Sequence, residues 1–299
     1  MTAAVLASIP SPSKNLLEIG PLTIHAYGVM IALGVIAGIW LSGRRLEAAR
    51  AGTREVMGTI GLWGVVGGIV GARAYYVITD PSDPWKRPSQ WLKVWEGGLG
   101  IPGGLLLGVL VAGWVARRKG VAPAAVFTAA APAIPLAQAI GRWGNWFNQE
   151  LFGRPTSLPW ALEIDYDNLP RSNGVPLYEP GTTFHPTFLY ESLWNLALCG
   201  ALLLLDRRRP MRAGSLMVVY VGGYSVGRFL VENLRIDPAN SGGGLRLNQW
   251  IALVAFVASM LYLIVDSRRP VVAAAPVAPA DSDTDTDTDT APAANGDPE

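Results

Sequence analysis

The chain has 299 residues, half of them hydrophobic and only 16% charged, with a mean hydropathy of +0.28. Soluble domains carry charge on about a quarter of their residues, so the composition points to a membrane. A net charge of +1 without a separate basic domain argues against nucleic-acid binding, and the one cysteine, Cys199, excludes an intrachain disulfide framework. Cys199 lies inside an apolar run and reads as a packed small hydrophobe.

A hydrocarbon core about 30 Å thick is crossed by about 20 mostly apolar helical residues. Runs of that kind fall at 24–43, 56–78, 98–116, 122–140, 186–205, 214–231 and 248–265. The expected fold class is therefore an all-α integral membrane protein of about seven transmembrane helices, occupying residues 23–269. The first run is not a signal peptide in this reading, because it begins after Pro10, Pro12 and Pro21 and no basic segment leads into it. Residues 1–22 form an external N-terminal segment. The glycines of 58–73 suit close packing between helices.

Basic residues follow spans one, three, five and seven: Arg44, Arg45, Arg50 and Arg54; Arg117, Arg118 and Lys119; Arg207, Arg208, Arg209 and Arg212; Arg268 and Arg269. If each run crosses once, all four clusters share a side, and the positive-inside rule makes that side the cytoplasm. The N-terminus is then outside and the C-terminus inside. Residues 80–96, with Trp85, Trp91 and Trp95 among Lys86, Arg87 and Lys93, read as an interfacial helix on the outer face. Residues 148–185, rich in Pro and Gly, form a small external head with short strands such as WALEIDY at 160–166. Residues 270–299, with their alternating Asp and Thr, form a disordered cytoplasmic tail.

Ionisable and amide residues concentrate toward the outer ends of the spans. GRWGNWFNQE (141–150) follows an apolar run, where charge is costly and usually functional. At 100° per residue Arg142, Asn145 and Gln149 share a helical face, with Asn148 beside them and Trp143, Trp146 and Phe147 elsewhere. In YSVGRFLVENLRID (224–237), Tyr224, Arg228, Glu232 and Arg235 fall on one face over about 16 Å. Two arginines around one glutamate leave a positive charge suited to phosphate, which guanidinium binds bidentately. FHPTFLYES places His185 just ahead of Pro186 and carries Tyr190 and Glu191 into the fifth span. GPLTIHAYG (20–28) sets His25 and Tyr27 at the outer mouth of the first. No metal-ligand cluster, nucleotide loop or Ser-His-Asp order stands out. An enzyme acting on an anionic headgroup, an anion transporter and a non-catalytic anionic-lipid-binding protein all fit these residues. The apolar cytoplasmic halves of the spans speak against a continuous transport path.

GPLTIHAYG, GRWGNWFNQELFGRP, HPTFLYES and YSVGRFLVENLR, in this order, resemble prolipoprotein diacylglyceryl transferases over roughly residues 16–266. The resemblance implies a multi-pass enzyme of the bacterial cytoplasmic (inner) membrane, working among membrane lipids without a cofactor, metal or nucleic acid. Its partners would be phosphatidylglycerol and lipobox-containing preprolipoproteins. The diacylglyceryl group would pass to the lipobox cysteine as a thioether, with release of glycerol phosphate. By the same resemblance, Arg142, Asn145 and Gly153 match signature positions, and Tyr27, Tyr224, Arg228 and Glu232 match positions important for activity. The expected roles are catalysis by Arg142, Arg228, Tyr27 and Glu232, and phosphatidylglycerol binding by Arg142, Asn145, Gly153, Tyr224, Arg228 and Arg235. The family commonly carries HGG at the start of span three, its histidine a proposed base. Here the stretch is GGLGIPGG, with Pro102 in that place. His25, Glu150, His185 and Glu232 are the candidate substitutes, and a thiolate stabilised by the arginine field is the preferred alternative.

Overall fold

The computed structural model describes residues 8–12, 15–19, 22–79, 91, 97–209, 211–236 and 241–268. Most of the expected interfacial segment and the whole acidic tail lie outside them. Nine α-helices form among the described residues: α1 (Ala26–Ala48), α2 (Arg54–Thr79), α3 (Ile101–Arg118), α4 (Pro123–Ala130), α5 (Ala133–Gly141), α6 (Trp143–Asn148), α7 (Thr187–Arg208), α8 (Ser215–Glu232) and α9 (Leu247–Ser267).

Helices α1, α2, α3, α7 and α9 are long and apolar enough to cross a membrane. The run from α4 to α6 makes a sixth candidate if its 47° bend is taken within one broken span. Pro132 sits at that break, where it removes a backbone donor and crowds the preceding turn. Helix α8 has 18 residues but carries Arg228 and Glu232 in its last two turns, and it falls outside that set. The helices turn large apolar side chains outward: Ile36 is 64% exposed, Leu105 68% and Val254 65%. A surface of this extent is lipid-facing.

Small residues set the closest packing. Helix α2 lies against α3 through Gly64, Gly67, Gly68 and Gly71 on one side and Gly103, Gly104 and Gly108 on the other. A Cβ on Gly71 would stand 2.3 Å from the Gly103 carbonyl oxygen, so the two backbones touch. At one end of the bundle Leu46, Met57, Ile60, Val115, Ala116, Val121, Val126 and Ala129 form a buried cluster.

Polar staples close the same end. Arg45 donates to the carbonyls of Ala129 (3.0 Å) and Thr128 (3.1 Å) and pairs with Asp206 at 3.1 Å. Arg212 pairs with Asp266 at 3.4 Å, and Ser215 Oγ donates to the same carboxylate at 2.8 Å. The basic ends of α1, α3, α7 and α9 thus gather together, as the charge pattern anticipated.

The opposite end carries short two-stranded elements. Strand β1 (Leu16–Ile19) pairs antiparallel with β2 (Leu22–His25) and runs directly into α1. Between α6 and α7, β3 (Leu162–Glu163) pairs with β6 (Thr183–Phe184), and β4 (Arg171–Ser172) with β5 (Val175–Pro176). The β4–β5 turn is Asn173-Gly174, both at positive φ, the preferred two-residue hairpin chemistry. Gly243-Gly244 play that part between β7 (Ser241–Gly242) and β8 (Leu245–Arg246).

Phe152, Leu162, Ile164, Leu169, Phe184 and Phe188 give this head its own small core, with Ile9 packed against it. The N-terminal segment crosses the head: Ile9 exchanges backbone hydrogen bonds with Ala161 (2.7 Å) and Glu163 (2.9 Å), and Trp146 Nε1 donates to Pro10 at 3.1 Å.

The Gly71–Gly103 contact generates a stability prediction. Gly71→Ala should lower the unfolding midpoint of the purified protein in detergent, at a cost of about 1–3 kcal/mol, because a backbone oxygen cannot rotate away. Gly58→Ala, where nothing lies within 4 Å, should be neutral or slightly stabilising. Equal midpoints for the two variants would contradict the contact.

Candidate active site

Five charged side chains converge at the bundle end that bears the head. Arg142 joins α5 to α6, and its guanidinium forms an ion pair with Glu191 in the second turn of α7. Glu191 is also 3.8 Å from Arg228 Nη1. Arg228 Nη2 then reaches Glu232 at 2.8 Å, one turn on along α8. Glu232 is fully buried; Arg246 Nε lies 3.2 Å from it and Asn248 Nδ2 donates to it at 3.2 Å, both from the start of α9. Arg246 also donates to the backbone carbonyls of Arg235 (3.0 Å) and Glu232 (3.4 Å).

Three guanidinium groups and two carboxylates leave one net positive charge. The Glu191 carboxylate is shared by Arg142 and Arg228, so the two arginines face one small volume. A pair of guanidiniums around one carboxylate is also the arrangement that grips a phosphate.

The structure brings together Arg142, Arg228 and Glu232 of the expected site. Tyr224 lies one turn from Arg228 and lines a small cavity with it, Glu191 and Asn195. Tyr27, in the first turn of α1, lays its ring against Gly144; a Cβ there would stand 2.7 Å from Tyr27 Cδ2. Asn145 is buried, and its amide donates to Glu150 at 2.8 Å, where Asn148 also donates at 3.4 Å. Glu150 is itself exposed.

Gly153 marks a crossing of three segments. Its N–H donates to His185 (2.9 Å), the Arg154 N–H donates to Leu234 (2.8 Å), and Gly153 bridges Arg235 antiparallel. A Cβ at Gly153 would meet His185 Cβ at 2.8 Å and the Leu234 carbonyl oxygen at 3.0 Å. Glycine here permits close backbone approach.

Two parts of the helical-face reading are corrected. Helix α8 ends at Glu232, so Arg235 lies in the following bridge and not on the face of Tyr224 and Arg228. The arginine that flanks Glu232 from beyond is Arg246. Similarly, α6 ends at Asn148, and Gln149 turns into the left-handed region at φ 51°. Its side chain leaves the face of Arg142: Nε2 donates to Asp165 Oδ2 (2.7 Å) and Pro12 (3.0 Å), while Oε1 accepts from the Asp165 N–H (2.7 Å). It is a pin between the head and the N-terminal segment.

The candidate bases are spread apart. His25 is exposed at the N-terminus of α1. His185 Nδ1 is 3.1 Å from the Tyr190 hydroxyl, whose oxygen accepts from Trp160 Nε1 at 3.0 Å. The hydroxyl pairs with either tautomer of the ring, donating to a bare Nδ1 or accepting from a protonated one. Partial burial, with the Arg154 charge secondary, pushes the His185 pKa below the ordinary histidine value. Pro102 stands exposed in the first turn of α3.

Glu191, Arg246 and Asn248 were not among the expected site residues. Glu191 carried a signal, a carboxylate just inside an apolar run. Arg246 and Asn248 stand at the start of a helix that reads as an ordinary span, and only tertiary folding brings them to Glu232.

The family model for prolipoprotein diacylglyceryl transferase matches residues 14–265. The chain belongs to that family. It is 46% identical over 272 residues to phosphatidylglycerol–prolipoprotein diacylglyceryl transferase 2 of Streptomyces coelicolor, covering 88% of this chain and 82% of that protein. It is 48% identical over 265 residues to phosphatidylglycerol–prolipoprotein diacylglyceryl transferase of Cutibacterium acnes, covering 88% of each. A similarly named protein of Paenarthrobacter aurescens is 46% identical over 270 residues, 88% of this chain and 84% of its own length.

Two predictions follow from this geometry. Glu232→Leu removes the carboxylate that Arg228 and Arg246 share, and should lower stability by about 3–5 kcal/mol, as breaking a buried pair from one side does. An unfolding midpoint within error of wild type would refute it. For His185, a folded-state pKa below the unfolded value means that, between the two, the unfolded chain binds the extra proton. Its contribution to stability is complete above the ordinary histidine pKa and is lost as pH falls through the lowered folded value. The unfolding midpoint of His185→Gln should therefore fall less on acidification than that of wild type; parallel curves would contradict this.

Proposed function

We propose that the chain transfers the diacylglyceryl group of phosphatidylglycerol to the lipobox cysteine of preprolipoproteins, the first step of lipoprotein maturation. The observation that carries the reading is the pair Arg142 and Arg228 around one carboxylate, at the bundle end bearing the head, in a member of this transferase family. In the proposed topology α8 is the sixth of seven spans and α9 the seventh, and the basic helix ends face the cytoplasm of a bacterial inner membrane. The N-terminal segment and the 148–185 head then stand outside, and residues 270–299 form the cytoplasmic tail.

The thiol sulfur attacks the glyceryl carbon that bears the phosphate ester. A carbon–sulfur bond forms, that carbon–oxygen bond breaks, and glycerol phosphate departs with the bonding electrons. The thiol proton balances the second charge of the released monoester, whose second pKa is near 6. Arg142 and Arg228 bind the phosphate and stabilise the charge it gains. Asn145 and Tyr224 complete the headgroup pocket, and Tyr27 hydrogen-bonds near the reacting carbon. Glu232 is a positioning residue, because full burial between Arg228 and Arg246 keeps it from substrate. Gly153 and Arg235 support the site through the backbone crossing beside it. Both substrates are tethered to the bilayer, so their alignment supplies much of the acceleration.

The test combines purified protein, phosphatidylglycerol and a lipobox peptide, with peptide mass as readout. A diacylglyceryl gain that requires the cysteine is expected. Arg142→Ala and Arg228→Ala should each reduce turnover by about 10²–10³. No mass gain with wild type would leave a lipid-binding protein, the reading that Pro102 favours; near-normal turnover by either variant would sink the clamp.

A further inference from the structure

Asn195 lies one turn after Glu191 on α7 and is only 2% exposed, yet its Oδ1 has no hydrogen-bond partner among the described residues. A buried amide oxygen is rarely left so, and when it is, a water or ligand commonly answers it. The residue borders a cavity of about 10 Å³ between α7 and α8, lined by Glu191, Trp194, Asn195, Tyr224, Gly227 and Arg228, with Val231 closing it. That volume is about what one water requires.

The neighbours narrow what the cavity can offer. Trp194 gives its indole N–H to the Gly223 carbonyl at 3.0 Å, so it cannot serve Asn195. Its ring presses onto Gly227, where a Cβ would be 2.3 Å from Nε1. The contact holds α7 and α8 together at this level. Glu191 is engaged by Arg142 and Arg228. Arg228 carries five N–H donors, more than its two carboxylate partners occupy, and Tyr224 contributes a hydroxyl. A water that accepts from Arg228 and donates to Asn195 meets the two to four polar partners such a site requires.

We propose that this cavity holds one ordered water linking the Arg228 guanidinium to Asn195 Oδ1, and that Asn195 is a positioning residue for Arg228 in the phosphate clamp. The inference rests on the transferase reading above. Glu232 restrains Arg228 from its own helix. The water restrains it from α7, the helix that also carries Glu191. Arg228 is thereby oriented before lipid arrives, and the consequence falls on phosphatidylglycerol recognition more than on folding.

The experiment uses the full-length protein, phosphatidylglycerol and the lipobox peptide. Asn195→Leu removes the amide at similar volume and should raise KM for phosphatidylglycerol about tenfold, the expected cost of one lost hydrogen bond to a charged group. KM for the peptide should stay within about twofold, and the unfolding midpoint should hold or rise, since an unpartnered buried amide gives way to an apolar group. Asn195→Thr, which keeps a neutral oxygen acceptor, should recover most of the loss. A KM within twofold of wild type in Asn195→Leu would overturn the proposal, as would equal losses in both variants. A high-resolution density map of the wild-type protein decides the water directly: density between Asn195 and Arg228 supports it, and an empty cavity overturns it even if the leucine variant fails to fold. Absence of any transfer by wild type would instead strike the functional reading, while the map would still judge the water.

Discussion

A carboxylate withdrawn from water must be answered by positive charge or hydrogen-bond donors, and at Glu232 that demand is complete, because none of its side chain is exposed. Arg228 answers it from the same helix; Arg246 and Asn248 answer it from the next. Glu191 makes a second demand, which Arg142 and Arg228 share. The resulting alternation, Arg142–Glu191–Arg228–Glu232–Arg246, ties the α5–α6 junction, α7, α8 and α9 at one level. Apolar packing alone would not single out that level, since side chains facing lipid gain little by facing each other. The charges determine which helix ends meet.

The rest of that bundle end holds these partners in place. Glu191 stands about one turn into α7, so its position depends on how α7 begins. Thr187 Oγ1 donates to the Leu151 carbonyl, and the backbone of His185 exchanges hydrogen bonds with Gly153 and Arg154. Arg154 in turn reaches Leu234, just past the end of α8. Gly153 is therefore the point at which the head, the start of α7 and the exit of α8 share backbone. Gln149 fastens the head to the N-terminal segment through Asp165 and Pro12. The head reads as a clasp over the charged level, whose own core of Phe152, Phe184 and Phe188 lets it act as one body.

What the sequence made legible follows from what is local. Apolar length located the long helices, and basic clusters identified the helix ends that gather. Arg142, Arg228 and Glu232 stood out because charge in an apolar run is costly. Extrapolating one helical period past its end was the main error: it kept Arg235 on the α8 face and Gln149 on that of α6, although the chain turns at Asn233 and at Gln149. No periodicity announces either turn. Arg246 illustrates the other limit. It is one of many arginines near a span, and it becomes part of the cluster only because the β7–β8 hairpin returns α9 to the end of α8. The α4–α5 break was legible in principle from Pro132, but the apolar run on both sides masked it.

The same geometry bears on how a thiol could react with Pro102, not a histidine, at the start of α3. Glu232 is fully buried between Arg228 and Arg246, which keeps it from an approaching thiol. At His185 the Tyr190 hydroxyl occupies Nδ1. His25 is exposed at the mouth of α1, and Glu150 is exposed while holding two asparagine amides. Of these groups, His25 and Glu150 have the access a base needs, and Asn145 donates to Glu150. A carboxylate is a weak base for a thiol of ordinary pKa near 8.5, so the larger effect must come from lowering that pKa. The one surplus positive charge of the cluster acts in that direction, and it acts on the phosphate oxygen as well. The proton released by sulfur and the charge gained by the leaving phosphate are two sides of one balance. An arginine-rich site with no dedicated base is therefore sufficient for the proposed chemistry, provided the guanidiniums are already oriented when the thiol arrives.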